Sequence, residues 1–322
     1  MPAVSVVVPV YNKQRTVRRA LRSVLAQTFQ DFELVVVDDG STDGSLGQVE
    51  GLDSRIQIVR QANFGPGVAR NRGVEGTTAP LVAFLDADDA WRPGYLAAAN
   101  KALTEHPEAA GFAAAYDAGE MRHVQTARLL ETIAASGVHR MPPDAHPRQV
   151  KDRVDSASVT CLTLRREIFN RYGGFFSREK SLYGEDTYLI APVVISEPFY
   201  YSRELLVDVH FEDSELGFAM RGRHPMHPAL AHPELRRNVP AAGRRALDGL
   251  LALYRHRYTQ RLAREGNWSE IARLRRAFPW PLGTGRPFWK AERKIELRCA
   301  VRHCRAVLAP SGRLAEVVLP SE

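Results

Sequence analysis

Residues 81–91 read LVAFLDADDAW, and this stretch decides the fold. Leu81–Leu85 is a short, wholly apolar run of the kind that fills a strand buried on both faces of a parallel sheet. It runs directly into Asp86-Ala87-Asp88-Asp89. Ionised carboxylates beside a hydrophobic strand are costly unless paired. A hard divalent cation bridging Asp86 and Asp88 to a diphosphate relieves that cost, because Mg2+ and Mn2+ take oxygen ligands. Two aspartates one residue apart form a weak pattern by themselves. Their place after a buried strand and before Trp91-Arg92-Pro93, which reads as a helix start, makes the pattern specific.

Outward from this stretch, strand and helix signals alternate. Val4–Val8, Phe32–Val37 and Ile56–Val59 are β-branched apolar runs. After Asn12, a good N-cap, Val17, Ala20, Leu21, Val24 and Leu25 fall on one helical stripe. Pro93–Leu103 reads as a helix, Ala109–Tyr116 as a strand, Ser158–Leu164 as a strand and Arg165–Tyr172 as a helix; a further helix opens at Gly184-Glu185-Asp186. Between them, 128–135 reads as helical and 141–147 as a loop. Short apolar strands separated by helices predict a Rossmann-like α/β fold, a mostly parallel sheet covered on both faces. In such a sheet the strands' carboxyl ends share one edge, where ligands bind at the switch point. Pro9-Val10-Tyr11, Asp38-Asp39 and Asp86–Asp89 all end strands. Singly, each aspartate reads as a turn or cap residue; together they define a site.

The chain has 322 residues and three cysteines. That length predicts about two domains, and three cysteines do not make a disulfide framework, so a reducing compartment is expected. No apolar run reaches the roughly 18 residues of a membrane span, and the N-terminus reads as a strand. The expected location is therefore cytoplasmic. The net charge of +7 is unevenly spread: residues 215–322 carry 21 Lys and Arg against 9 Asp and Glu, the rest 23 against 28. An acidic body with a basic appendage suits an anionic polymer, a membrane inner face, a second subunit or nucleic acid. The predicted organisation is a catalytic domain over 1–215, a Pro-, His- and Arg-rich mobile loop over 216–240, and a basic, mainly helical region over 241–322.

VSVVVPVYN (4–12), VVVDDGSTDGS (35–45), NFGPGVARNRG (63–73), FLDADD (84–89) and the later GGF…GED together resemble a family 2 glycosyltransferase of the GT-A fold. The resemblance runs from residue 3 to about 215. It implies an inverting transferase that takes a nucleotide-diphosphate sugar and a divalent metal, Mn2+ or Mg2+. By the same resemblance, Pro9 and Tyr11 form the nucleotide wall, with the Tyr11 ring stacking on the base. Asp39, or less favourably Asp38, accepts the base N–H, which points to uracil or thymine and makes a UDP-sugar the expected donor. Asn63 and Arg70 contact base, ribose or diphosphate, while Asp86, Ala87 and Asp88 line the donor and metal. His210 falls where the family carries a histidine after its last core strand, and is expected as a metal ligand beside Asp88. Asp186 is expected as the catalytic base, with Glu185 orienting or binding acceptor. Arg221 and Arg223 lie on a loop that would close over the diphosphate. Two departures from the family pattern bear on the acceptor: Phe176-Ser177 replaces the usual acidic residue after GGF, and TYLIAPV lacks the arginine common after ED.

Other readings fare worse. GPGVARNRG lacks the third glycine of a dinucleotide fingerprint, and no Walker-type GxxxxGK[ST] occurs. His224, His227 and His232 lack zinc-site spacing. Cys299, His303 and Cys304 read as packing residues on a helix. Arginines interleaved with Tyr254, Tyr258, Trp268, Trp280, Phe288 and Trp289 suit acceptor or partner recognition, and no nucleic-acid motif accompanies them. The expected acceptor is a glycan, glycopolymer or lipid-linked saccharide in cell-surface polysaccharide or glycolipid synthesis. The alternative is a sugar-nucleotide-binding or scaffolding protein that has lost transfer.

Overall fold

A computed structural model of the chain describes residues 1–119, 130–213 and 226–277. These divide into two compact units, Met1–Tyr254 and the residues from Arg255 onward.

The first unit is built on one mixed sheet. Its strands are β1 (Val4–Val10), β2 (Phe32–Asp38), β3 (Ile56–Arg60), β4 (Leu81–Phe84), β5 (Ala90–Trp91), β6 (Gly111–Asp117), β7 (Gly137–His139), β8 (Leu162–Arg165) and β9 (Phe199–Asp208). They lie in the order β3-β2-β1-β4-β8-β6-β9-β5, with β7 also on β9. The first four are mutually parallel. Next to them β8 inserts antiparallel between β4 and β6. Because β2 lies on one side of β1 and β4 on the other, the strand order reverses at β1, and the crevice at its carboxyl end is the switch point.

Helix α1 (Val17–Leu25) covers one face, burying Val17, Ala20, Leu21 and Val24 as its spacing predicts. Full burial of each Val or Leu contributes about 1.5–3 kcal/mol. Helices α2 (Ser45–Val49), α3 (Pro66–Glu75) and α4 (Tyr95–Glu105) complete the N-terminal half. Gly73 of α3 sits against Val7 of β1 so closely that a Cβ there would collide with the valine side chain. That approach brings the whole of α3, and the functional groups it carries, down onto the sheet.

The later helices are α5 (Pro147–Ser156), α6 (Arg166–Arg171), α7 (Thr187–Ser196) and α8 (Pro228–Ala231). All eight residues Tyr188–Ile195 of α7 are buried, which explains why this segment is apolar where the family has an arginine. Residues 226–240, expected within a mobile loop, instead form α8 and short 3-10 turns. Ala229, Leu230, Leu235 and Val239 are buried there, and His227 caps α8 by accepting from the Ala229 N–H at 3.1 Å. Apolar residues too sparse to show a period still pin the segment down. Of the helix expected at 128–135, only 130–132 is helical among described residues.

Helix α9 (Arg244–Arg264) spans the boundary between the units, and α10 (Trp268–Ala277) belongs to the second. Within that second unit the Arg261 guanidinium lies 4.6 Å over the Tyr258 ring. Arg221, Arg223, Trp280, Phe288, Trp289, Cys299, His303 and Cys304 lie outside the described residues. No described helix is long and apolar enough to cross a membrane.

Candidate active site

At the end of β4 the Leu85 N–H still donates to the Val7 carbonyl, at 3.1 Å, and the chain then turns, with the Asp89 N–H donating to the Asp86 carbonyl at 3.0 Å. This turn fans three carboxylates apart. The Asp86 side chain is a third exposed and that of Asp88 is 14% exposed, while Asp89 is buried.

Each finds a partner. Arg70, on the buried face of α3, donates from Nη2 to Asp86 Oδ1 at 2.7 Å and from Nη1 to Glu185 Oε1 at 2.9 Å. Its guanidinium lies 5.2 Å over the Phe175 ring. Burial works against this charge, but Asp86 and Glu185 outweigh it and raise the Arg70 pKa, so the bridge stays cationic. Lys13 Nζ donates to Asp88 Oδ2 at 2.9 Å. Asp89 Oδ1 accepts from the His210 N–H at 2.9 Å.

The site nevertheless holds an excess of negative charge. Burial and then Asp86 push the Asp88 carboxyl above its ordinary range, with Lys13 pulling it back. Burial, Asp86 and Asp88 push Asp89 well above that range. Burial and the neighbouring Asp186 raise Glu185 to about 7, against the pull of Arg70.

Glu185 and Asp186 arrive at this cluster by a tight approach. A Cβ on Gly67, at the start of α3, would collide with the Phe176 carbonyl and crowd the Glu185 side chain. The Phe176 N–H in turn donates to the Glu185 carbonyl at 3.1 Å. Asp186 caps α7, its Oδ1 accepting from the Thr187 N–H at 2.6 Å and the Thr187 hydroxyl at 3.2 Å. Capping occupies Oδ1, and among the described residues no hydrogen bond engages Oδ2.

Asp86, Asp88, Asp186 and His210 line one cavity of about 310 Å³, together with Thr160, Tyr116 and others. His210 stands at the end of β9, with Nδ1 3.0 Å from Glu212 Oε1. His210, Glu212 and Asp213 bring potential metal-binding atoms within 4.8 Å of one another. The donor set around the cavity, carboxylate oxygens with an imidazole at its edge and unrelieved negative charge, fits a divalent cation of the Mg2+ or Mn2+ kind.

Asp39 is not among the residues lining that cavity. Buried at the tip of β2, it accepts from Gln61 Nε2 at 2.8 Å, the Phe64 N–H at 2.9 Å and the Gly65 N–H at 2.8 Å. It therefore fixes the turn that opens α3. A carboxylate offers about four acceptor positions, so one remains. Asn63 belongs to the same turn, and a Cβ on Gly40, already at a φ of +75°, would crowd the Asn63 backbone nitrogen, so Gly40 must be glycine. Pro9 is the penultimate residue of β1, and Tyr11, just beyond the strand's end at Val10, is 39% exposed.

Three residues of the cluster escape motif reasoning: Lys13, Arg19 and Asp213. Lys13 Nζ is 3.4 Å from the Asp213 carbonyl, and Arg19 Nη2 bonds the Asp88 carbonyl and, at 2.9 Å, Asp213 Oδ2. Only the place of Lys13 two residues after Tyr11 signals it in the sequence.

The family model for glycosyl transferase family 2 matches residues 5–173. This chain belongs to that family. The family 2 chain is 31% identical over 209 residues to the succinoglycan biosynthesis protein ExoW of Rhizobium meliloti, a match covering 61% of this chain and 65% of that relative. It thus spans a little under two thirds of ExoW. Among solved structures it resembles TarS (residues 1–349) of S. aureus in complex with UDP, at a TM-score of 0.57 and 17% identity, covering 98% of this chain and 94% of that one. It also resembles the mannosyltransferase PcManGT of Pyrobaculum calidifontis in complex with GDP-Man and Mn2+, at a TM-score of 0.53 and 19% identity, covering 94% and 87%. These structural likenesses establish the GT-A fold of the family 2 chain.

Proposed function

We propose that this protein is an inverting, metal-dependent glycosyltransferase that moves a sugar from a UDP-sugar to an acceptor hydroxyl. One observation carries the reading: Asp186 and the Asp86, Asp88 and His210 groups face a single cavity large enough for the reacting ends of donor and acceptor. Oδ2 of Asp186 takes the proton of the acceptor hydroxyl. The acceptor oxygen then forms the bond to the anomeric carbon, while the bond from that carbon to the diphosphate breaks on the opposite side and inverts its configuration. Asp88, Asp86 and His210 are the residues to hold a divalent cation, which when bound supplies positive charge to the leaving diphosphate. Arg70 keeps Asp86 and Glu185 in place, and Glu185 sits beside Asp186 to orient the acceptor.

On the donor side, Tyr11 with Pro9 forms the wall for the base, and the last acceptor position of Asp39 suits an imide N–H of uracil. The UDP complex of the structurally similar TarS supports that choice of base. Asn63, in the turn that Asp39 fixes, and Ala87, between Asp86 and Asp88, are the residues we assign to the rest of the donor. The name of ExoW supports an acceptor in polysaccharide synthesis, and the basic residues of 215–322 suit an anionic glycan or a lipid-linked one at a membrane surface.

The test is thermal. UDP with Mn2+ is expected to raise the Tm, and Asp88→Asn to remove the increase. Hydrolysis of UDP-, GDP- and dTDP-sugars without acceptor then ranks the donors. An unchanged Tm increase in the variant, or faster GDP-sugar hydrolysis, overturns the corresponding part of the assignment.

A further inference from the structure

The Asp88 carboxylate already holds a cation on one of its oxygens. Lys13 Nζ sits 2.9 Å from Asp88 Oδ2, with the two side chains only 17% and 14% exposed. The backbone that carries the lysine is anchored, the Lys13 N–H donating to Ser45 Oγ at 2.6 Å. Of its three ammonium donors one serves Asp88 and one the Asp213 carbonyl at 3.4 Å. Around it the carboxylates outnumber the cations. Arg70 bridges Asp86 and Glu185, Arg19 pairs with Asp213, and Lys13 is the cation bound to Asp88. A divalent ion and an ammonium on one half-buried carboxylate repel strongly, because solvent screens them poorly. The ammonium must move when the ion arrives. A flexible four-carbon stem allows this, and an incoming diphosphate provides negative charge to receive it.

We propose that Lys13 is the resident counter-cation of Asp88 and a donor-binding residue: its ammonium transfers from the Asp88 carboxylate to the diphosphate when cation and donor enter. This rests on the metal-dependent reading above and deepens it. The consequence is a coupling. The cation alone competes with Lys13 and binds weakly, whereas cation and diphosphate together free Asp88 and reuse the ammonium, so each raises the affinity for the other by the same factor. Lys13 thereby disfavours a bare metal site and favours the complete donor complex.

The experiment measures Mn2+ binding to the full chain by the loss of the free Mn2+ resonance signal, with and without UDP, and UDP binding by calorimetry at saturating Mn2+. Lys13→Met is expected to bind Mn2+ alone about tenfold more tightly and UDP about tenfold more weakly, a change of about 1.4 kcal/mol in opposite directions. Lys13→Arg is expected to keep the wild-type pattern, and Lys13→Gln to repeat the Met result, with circular dichroism establishing that all are folded. A merely structural lysine would weaken both affinities together. If Lys13→Met leaves Mn2+ affinity unchanged or lower while Asp88→Asn abolishes it, the cation site stands and the Lys13 role is overturned. If Asp88→Asn binds Mn2+ and UDP as the wild type does, the metal reading fails and the Lys13 role with it.

Discussion

Arg70 and Glu185, 115 positions apart in the chain, meet at 2.9 Å with side chains only 5% and 8% exposed. The bond ties the helix that opens beside the donor turn to the residue preceding the expected base. The same guanidinium holds Asp86 at 2.7 Å, so one side chain sets the spacing between the donor and acceptor halves of the site.

Removing that side chain leaves two carboxylates facing each other without a counter-charge. Arg70→Met is expected to destabilise the fold by about 3–5 kcal/mol, the usual cost of breaking a buried ion pair by deleting one partner. In a unit of this size the Tm falls by roughly 10 °C. Arg70→Lys keeps the charge but reaches only one carboxylate at a time, so its Tm is expected to lie between the two while activity drops. Differential scanning calorimetry reads the first effect and donor turnover the second.

Asp186→Asn preserves the cap on α7, because the amide oxygen still accepts from Thr187, but removes the group that takes the acceptor proton. Transfer is expected to fall by about 10²–10⁴-fold with UDP affinity and Tm close to wild type. Turnover within tenfold of wild type would move the base to another residue.

Gly67→Ala inserts a methyl between α3 and the Phe176 carbonyl, beside Glu185. Overpacking of this kind costs typically about 1–3 kcal/mol, and here it also pushes Glu185 away from Arg70. A loss of activity larger than the loss of stability is expected, measured as kcat against the urea midpoint.

His227 gives the protein an acid limb. Burial, and then the charge of Lys151, lower its pKa to about 3, and its ring stacks on Tyr254 at 4.5 Å. A histidine depressed in the folded state leaves the unfolded chain binding the extra proton. Its contribution is fully present above the unfolded value near 6.5 and is lost as pH falls toward 3. Between pH 7 and 5 the wild type is expected to lose about 2 kcal/mol through this group. His227→Asn keeps a capping acceptor for α8 without the titration, so its urea-derived stability should change less over the same interval. Equal slopes for the two proteins would refute the assignment.

Much of this was legible in one dimension. The runs Val4–Val8, Phe32–Val37, Ile56–Val59 and Leu81–Leu85 carry the β-branched and apolar residues of strands, and β1 to β4 follow them within a few residues, β1, β2 and β4 largely buried and β3 half-exposed at the sheet edge. The short β5 and β7 were not legible: two or three residues carry no period, and they pair only because β9 offers an edge. The helical turns over 226–240 leave no periodic signal for a similar reason, since His and Pro residues interrupt the few apolar ones that anchor them.

By itself the sequence determined where the first four strands run and that acidic residues stand at the carboxyl ends of β2 and β4, because apolar patterning and strand polarity are local properties. Only the tertiary structure decided which charges meet. Lys13 on Asp88, Arg70 between Asp86 and Glu185, and Asp39 bonded to the turn that opens α3 all follow from how α3, α7 and the sheet pack. Electrostatic pairing depends on distance and burial in space, and neither is encoded in spacing along the chain.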